Sequence, residues 1–333
     1  MAGIVKKMAR LVNPIRLFRP ILISIDTAII CTENSMADVL HALFFVTAFG
    51  AVFIGMMLAE AAYVRWKGRL GVYELKETLA SVATGFSYKI VDGVAVALFI
   101  QAFYSWVAQF GLQLNPELSI GSVLLLIVLV DFCFYVNHVM MHKVRWFWAS
   151  HVTHHSSEHM NFSTALRQNF THAFNGAWIL WWIPAALVGF DKNWVLLAIE
   201  GNLVYQFFLH TEQVRKLGWL EKIFNTPSHH RVHHGRNAAQ IDRNFGGILI
   251  IWDKMFNTFR SEDDAGQIIY GVTRMPAKRY DPVHLQLHEW RDMFRDCWRH
   301  RDLRILIMPP EWVEQRYGQT DSIAPANALE SRT

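Results

Sequence analysis

The histidines of this chain are concentrated in its middle and are spaced in a way that suits metal binding. Twelve of the sixteen lie between His138 and His234. An α-helix turns about 100° per residue, so side chains at i, i+3 and i+4 project from one face. Eight of the twelve follow this spacing, and we expect each cluster to direct its imidazoles to one point. The eight are His138, His142, His151, His154, His155, His230, His233 and His234.

The number of imidazoles predicts two metal ions rather than one. A zinc ion takes four ligands, and a catalytic site leaves one position open. His210, which follows an apolar segment, is a plausible ninth ligand. Imidazole suits iron, copper, zinc and nickel, so the ligand type does not select the metal. An affinity-tag-like or zinc-buffering tract would be polar and of low complexity, whereas these clusters lie among Trp146, Phe147 and Trp148.

Polar residues near the clusters could support the ligands. Asp131 lies seven residues before His138, on the same helix face, where a carboxylate could fix an imidazole tautomer; helix packing is the alternative role. Gln206, four residues before His210, could be a weak ligand or a hydrogen-bond partner. Four further residues are candidates for supporting or interfacial roles: His159, His172, Glu212 and His229.

The elements that carry these residues are predicted to be membrane helices. The chain has 333 residues, of which 52% are hydrophobic and only 18% are charged, which favours an all-α integral membrane protein over a soluble domain. A span needs about 20 apolar residues. Five segments approach this length, and the last two form a predicted tight hairpin: Val39–Ala59, Val91–Gly111, Ile120–His142, Ala173–Phe190 and Trp194–His210.

Basic residues next to the spans predict the orientation, because Lys and Arg are retained in the cytoplasm. They follow the first, third and fifth spans, which predicts five crossings with the histidines in a cytosolic helical cap that holds a di-metal centre. The basic N-terminal segment argues for the opposite placement of the N-terminus. Pro14, Arg16, Arg19 and Pro20 interrupt any signal-peptide core. Three cysteines without metal-type spacing indicate neither a disulfide framework nor a cysteine site.

We expect one integrated domain at residues 39–312, preceded by an N-terminal segment 1–38 and followed by a disordered tail 313–333. A formal charge of +4 fits cytoplasmic loops near anionic lipid better than nucleic-acid binding. Leu287, Trp290, Phe294 and Trp298 recur at helical spacing with arginines on another face. This pattern predicts an amphipathic helix, which either packs on the cap or docks on the membrane surface.

With these motifs in view, the chain resembles the fatty acid hydroxylase/sterol desaturase superfamily of membrane di-iron oxygenases. The superfamily pattern is H-x3-4-H followed by two H-x2-3-H-H boxes, which His138–His142, His151–His155 and His230–His234 match. The flanks at 154–158, 163–168, 210–212, 225–237 and 244–254 are most similar to those of alkylglycerol monooxygenases. The resemblance covers residues 40 to 312.

The resemblance implies that two irons are held by the eight clustered histidines and His210. In fatty acid 2-hydroxylases a further histidine stands four residues before the position of His210, and here that position is Gln206. The implied activity is hydroxylation of an ether lipid or another membrane lipid with O2. The two electrons would come from a separate donor, which could be a reductase, cytochrome, ferredoxin or pterin.

Other functions remain open at this level. Hydroxylation of an aminolipid such as an ornithine lipid, sterol modification and fatty-acyl desaturation share the metal motifs. A metal transporter or metal-storing membrane protein is the alternative outside enzymes, although transporters place polar ligands near the bilayer midplane. The final residues, 330–333, carry no obvious retention signal, which favours a bacterial inner membrane over the endoplasmic reticulum, with the metal site on the cytoplasmic side.

Overall fold

The computed structural model describes residues 35–318, with side chains from Gly50 onward. Within this range the chain is helical and forms no β-strand, only two isolated bridges, which confirms the helical fold class. The chain divides into two compact units after Ile54. The first unit is described only over residues 35–54, which belong to helix α1, Ser35–Trp66; everything below concerns the second unit.

Two stretches of the described residues are long and apolar enough to cross a membrane, Leu70–Ala108 and Ile120–Lys143. The first contains α2, Leu75–Ala95, which passes through a π-helical turn, Val96–Ile100, into α3, Gln101–Ala108. The second is α4, Ile120–Lys143. The predicted third span coincides with the second stretch, the predicted second span overlaps the C-terminal half of the first stretch, and the predicted first span falls within α1.

The helices observed at the predicted fourth and fifth spans are shorter than those spans. The segment 173–190 is interrupted at Gly176, whose φ of 83° lies in the left-handed region, so that α7, His172–Asn175, is separated from α8, Trp178–Val188. At 1.5 Å per residue α8 is about 16 Å long, and α9, Lys192–Phe207, is about 24 Å. A bilayer core is about 30 Å thick. This hairpin therefore does not supply the two full crossings that were predicted.

The hairpin packs against the two candidate spanning stretches. Its apolar core includes Trp182 and Val195, which lie with Tyr104 and Val130 of the spanning stretches. The Tyr104 hydroxyl donates to the carbonyl of Phe190 at 2.7 Å, and the Trp181 indole donates to the carbonyl of Val130 at 3.1 Å. These contacts hold α8 beside α3 and α4.

The remaining elements are short apart from one helix of 19 residues, Pro282–His300. They are α5, Arg145–His155; α6, Phe162–Ala165; α10, Pro227–His233; α11, Ile251–Met255; α12, Pro282–His300; α13, Pro310–Tyr317; and 3-10 turns at Leu70–Val72, Gly218–Lys222 and Leu303–Leu306. Helix α13 extends into the predicted tail, and Val313 is buried there. Residues 319–333 and 1–34 lie outside the described residues, as do the predicted signal-peptide breakers and Cys31.

Helix α5 is anchored through a buried ion-pair cluster. Val144 adopts extended backbone (φ −117°, ψ 116°) and separates α4 from α5. The Arg145 guanidinium then contacts Glu289 at 2.7 Å and Asp296 at 2.8 Å on α12. Removal of one partner from such a cluster leaves a buried charge without compensation, which is strongly destabilising. The pairing therefore orients α5, and with it three of the predicted ligands, against α12.

Candidate metal centre

The nine predicted ligands lie in two groups whose ring nitrogens converge. The first histidine group comprises His138, His142, His151, His155 and His233, and the second comprises His154, His210, His230 and His234. Within each group one ligand atom per residue lies within 4.8 Å of all the others. The rings of His155 and His234 stack at 4.5 Å, so the two groups are adjacent.

Each H-x-x-H-H box contributes to both groups. In the box on α5, His151 and His155 enter the first group and His154 enters the second; in the box on α10, His230 and His234 enter the second group and His233 enters the first. The expectation that each cluster aims at a single point is wrong for these two boxes. Positions i and i+4 lie about 40° apart on a helix, whereas i+3 and i+4 lie about 100° apart.

Backbone carbonyls orient several of these imidazoles through Nδ1. His138 Nδ1 donates to the carbonyl of Phe245, and His233 Nδ1 donates to that of Arg243, both at 2.8 Å. His210 Nδ1 donates to the carbonyl of Gln206 at 2.8 Å, and His154 Nδ1 donates to that of Arg167 at 3.3 Å. A carbonyl can only accept, so Nδ1 carries the proton and Nε2 of a neutral ring presents a lone pair.

The lone pairs face one another at distances that suit ligands of a shared cation. His210 Nε2 lies 3.2 Å from His154 Nε2 and 2.9 Å from His230 Nε2. Two nitrogens bound at about 2.1 Å and at right angles to one metal would be roughly 3 Å apart. His233 Nε2 is buried without a hydrogen-bond partner among the described residues. The donor set therefore fits imidazole-binding metal ions.

The protonation states agree with this geometry. Burial lowers the pKa of His210 to about 4. Burial, with the neighbouring imidazoles second, holds the pKa of His154 and His234 well below the usual range. These rings are consequently neutral near pH 7, and neutral imidazole is the metal-binding form.

The loop 242–246 carries the carbonyls that orient the first group. Asp242 and Asn244 have φ of 59° and 56°, a left-handed conformation that Asp and Asn tolerate better than most residues. The Asn244 side chain donates to the carbonyls of His229 and Arg260. Asp253 accepts from the amides of Phe245 and Gly246, both at 2.8 Å. The loop thus holds the Phe245 carbonyl against His138.

Asp242 has the role that was predicted for Asp131, although the histidine it contacts is His142. Its Oδ1 lies 3.4 Å from His142 Nδ1, and its other oxygen pairs with Lys143. Burial would raise the pKa of Asp242, but the contacts with His142 and Lys143 lower it to about 2. A carboxylate on the outer nitrogen of a metal-binding imidazole fixes its tautomer and increases its basicity.

The predicted contact of Asp131 with an imidazole is wrong. Fully buried within α4, Asp131 accepts from the amides of Ile248 and Leu249 at 2.6 and 3.1 Å and from the Trp252 indole at 2.9 Å. Asn202 donates to it at 2.9 Å. Asp131 therefore fastens the segment after the 242–246 loop to α4. A Cβ at Gly247 would lie 2.8 Å from Asp131 Oδ1, so glycine is required for this approach.

Gln206 was considered as a weak ligand or as a hydrogen-bond partner, and its side chain forms a hydrogen bond. Its side-chain amide donates to Asn202 Oδ1 at 2.5 Å, while its main-chain carbonyl accepts from His210. Asp131, Asn202 and Gln206 form one hydrogen-bonded series leading to His210.

The other four candidates lie outside both histidine groups. His172 lies 6.1 Å from the His151 ring, and burial lowers its pKa to about 4. His229 is buried facing Glu221 at 4.0 Å. Glu212 pairs with Arg69 at 3.0 Å. His159 Nδ1 contacts Glu77 at 2.6 Å, a pairing that raises its pKa.

Sequence reasoning missed the residues that position the ligands from a distance. Arg167, Asp242, Asn244 and Asp253 were assigned no role, although all but Asp242 fall in the flanking segments that matched the family pattern. Arg167 is buried, and its guanidinium donates to the Thr153 carbonyl and to Ser156 Oγ. The available signal was a charged or amide side chain within a flank that matched the family pattern.

Comparison with known proteins agrees with the geometry. Residues 123–258 match the fatty acid hydroxylase family, and this range includes all nine histidines. The chain is 46% identical to human (Homo sapiens) alkylglycerol monooxygenase over 60% of its length and 45% of the relative's. For the Danio rerio alkylglycerol monooxygenase the identity is 40%, covering 84% of this chain and 63% of the relative. No solved structure matches the chain significantly.

A more distant relative has a different lipid in its name. The ornithine lipid hydroxylase of Rhizobium tropici is 26% identical over 60% of this chain and 58% of its own length. The chain spans less than two thirds of the length of each of these curated relatives. The resemblance inferred from the histidine boxes and their flanks is confirmed: residues 123–258 match the fatty acid hydroxylase family, and the chain is similar to the alkylglycerol monooxygenases.

Proposed function

We propose that the two histidine groups bind two iron ions and that the protein is a membrane monooxygenase that hydroxylates a lipid with O2. The proposal is carried by one observation: nine imidazoles converge in two adjacent groups inside a fatty acid hydroxylase domain. Imidazole is a common iron ligand, and the family relationship favours iron over zinc or copper. When bound, an iron pair supplies the oxygen activation that an unactivated C–H bond requires.

In this proposal the chain's own residues prepare the site. The carbonyls of Phe245, Arg243, Gln206 and Arg167 hold the Nδ1 protons, so the Nε2 lone pairs are available without rearrangement. Burial of the second histidine group excludes water. Exclusion of water limits side reactions that would consume O2 and electrons without oxidising the substrate.

The position of the groups on the helices suits a lipid substrate. His138 lies five residues before the end of α4, or roughly 8 Å along the helix axis. If Ile120–Lys143 crosses the bilayer, the groups lie close to the level of the lipid headgroups. Lys143 and Arg145 at this end favour the cytoplasmic side. We therefore propose a multi-pass membrane protein that oxidises a lipid carbon near the headgroup.

An ether-linked glycerolipid is the substrate that the relatives favour, since two alkylglycerol monooxygenases match at 40% identity or more. Hydroxylation of the carbon next to the ether oxygen would insert one atom of O2. The other atom would leave as water with two electrons and two protons. These electrons require a separate donor: a reductase, cytochrome, ferredoxin or pterin.

An aminolipid is the second candidate substrate. The ornithine lipid hydroxylase relative and the placement of the groups near the headgroup level both favour it. The two candidates differ in product, because hydroxylation next to an ether oxygen gives an unstable hemiacetal that releases an aldehyde. Hydroxylation of an aminolipid leaves the lipid intact and heavier by one oxygen.

Comparative lipid mass spectrometry of cells with and without the protein tests the proposal, combined with iron quantification of the purified chain. We expect about two irons per chain, together with loss of an ether lipid and appearance of an aldehyde, or a lipid gaining one oxygen. The matched control is His154→Ala, which should express but leave the lipid profile like that of cells lacking the protein. Zinc in place of iron, with an unchanged lipid profile, would overturn the proposal.

A further inference from the structure

Helix α12, Pro282–His300, has three distinct faces rather than two. One face is buried against the protein and contains Leu285, Glu289, Met293 and Asp296. A second face is apolar but exposed: Val283, Leu287, Phe294 and Trp298 are 65%, 40%, 51% and 73% exposed. At about 100° per residue these four positions fall within an arc of roughly 60°. The apolar side chains therefore form a ridge that the fold leaves uncovered.

Arginines occupy the third face. Arg291, Arg295 and Arg299 follow one another at i+4, directly beside the apolar ridge, and all three are exposed. Arg291 and Arg295 share the single carboxylate of Asp292, at 3.0 and 3.2 Å. The other two carboxylates of the helix, Glu289 and Asp296, are turned inward to Arg145. The outer surface of α12 consequently carries an excess of positive charge next to exposed apolar groups.

Contacts of α12 place it at the level of Ser87, within α2, and of the end of α4. Ser87 Oγ on α2 donates to Gln286 Oε1 at 2.9 Å, and from Ser87 to Ala108 the helix rises roughly 32 Å, close to the thickness of a bilayer core. At the end of α4, three residues beyond Lys143, the Trp146 ring lies 4.8 Å from that of Trp290. The helix therefore lies where the apolar core of the bilayer would give way to headgroups.

We propose that the exposed ridge of α12 lies in the membrane interface and that its arginine row binds anionic lipid headgroups. Interfacial helices combine an apolar face with Lys or Arg beside it, and each basic residue adds attraction to an anionic leaflet. Past the end of the helix, Leu303 and Ile307 are also exposed, at 76% and 60%. This inference requires the protein to span a membrane, but it is independent of the metal and of the reaction.

Photo-crosslinking in nanodiscs made of equal parts phosphatidylglycerol and phosphatidylcholine tests the inference with the full chain. p-Benzoylphenylalanine replaces Phe294 in one variant and Lys278 in a second. The Lys278 side chain is 69% exposed. The next two residues, Arg279 and Tyr280, contact Glu158 and Glu74. Glu74 precedes Ser87 by 13 residues, on the side of Ser87 away from Ala108. Leu124, which is 57% exposed on α4, serves as the lipid-facing control.

We expect lipid adducts at Phe294 and Leu124 and at least about tenfold fewer at Lys278. In the Phe294 variant, the double change Arg291→Gln and Arg295→Gln should lower the phosphatidylglycerol share of the adducts at least twofold. Chain-to-chain crosslinks at Phe294 in place of lipid adducts would mean that a second copy covers the ridge and would overturn the inference. Failure of Phe294 to form lipid adducts while Leu124 does so would overturn it equally. Metal content, measured on the same variants, reports separately on the proposed function.

Discussion

The two histidine groups lie side by side but are oriented by different parts of the chain. In the first histidine group, His138 and His233 donate to carbonyls of the loop 242–246, and for His138 the partner is 107 residues away. In the second, His210 donates to the carbonyl four residues earlier, at the end of α9, and His154 donates to one 13 residues later. One loop, 242–246, thus orients His138 and His233 in the first group, whereas His210 and His154 in the second take carbonyls from two separate segments.

The groups also differ in the number of imidazoles, with five in the first and four in the second. Fewer protein ligands leave more positions for other ligands on a metal. If both groups bind iron, the second has the greater room for O2 or substrate. Both groups have two rings oriented by backbone carbonyls, and the first has in addition a carboxylate on His142. Variants that affect one group at a time can test this difference.

The largest effect is expected from removal of one ligand in each group. His233→Ala takes an imidazole from the first histidine group and His154→Ala takes one from the second, so each should lower the iron content from about two towards one. Lipid hydroxylation should fall at least about 100-fold in both, because a metal pair acts as a unit. Metal analysis and product mass spectrometry measure the outcome.

His284→Ala is the matched control for these variants, since His284 lies on α12 outside both groups. It should retain metal and activity. Retention of full activity by either His233→Ala or His154→Ala would refute the ligand assignment for that group.

A smaller and more selective effect is expected from Asp253→Asn. Asp253 accepts two backbone amides of the loop that orients His138 and also accepts from Thr258 Oγ1 at 2.6 Å. An amide in its place must direct its NH2 at one of these donors. Loss of an outer partner weakens metal affinity by about 10–100-fold, and here the loss should fall on the first histidine group. Chelator titration of the loaded protein should release one iron much earlier than the other.

The exposed Asp264 provides the control, because Asp264→Asn lies outside the loop and its contacts. Equal weakening of both irons by Asp253→Asn would show that the two groups share one support and would remove the distinction drawn between them.

The mildest effect is expected at Gln206. Gln206→Ala removes the side-chain amide that donates to Asn202 but keeps the carbonyl that orients His210. Activity should fall by less than about tenfold, whereas His210→Ala should abolish it, since the loss of an orienting partner costs less than the loss of a ligand. Steady-state product formation and metal content compare the pair. Equal losses in the two variants would identify Gln206 as an obligatory ligand.

Several features of the fold could be predicted because they depend on local pattern. The apolar run before His138 predicted α4 almost to the residue, and the spacing of Leu287, Trp290, Phe294 and Trp298 predicted the helix now seen at Pro282–His300. The hairpin was harder to predict. Hydropathy in the segment 173–190 is continuous, but Gly176 takes a left-handed conformation that divides it, and hydropathy carries no information about backbone dihedral angles.

The supporting residues depended on contacts that no local pattern encodes. Asp131 shares a helix face with His138, which made a hydrogen bond between them a reasonable prediction. Its oxygens instead accept from residues 248, 249 and 252, which lie more than 110 positions later in the chain. Asp242, which does contact His142, has no sequence spacing that relates it to a histidine.

The sequence by itself determined that eight clustered histidines would be available for metal binding, because helical spacing places i, i+3 and i+4 on neighbouring positions of one surface. Only the tertiary structure decided how they are shared. Adjacent positions such as His154 and His155 diverge by about 100° around the helix, so one box can serve two centres. Which imidazole joins which group depends on where α4, the end of α9 and the other box lie, and these positions are set by packing between distant segments.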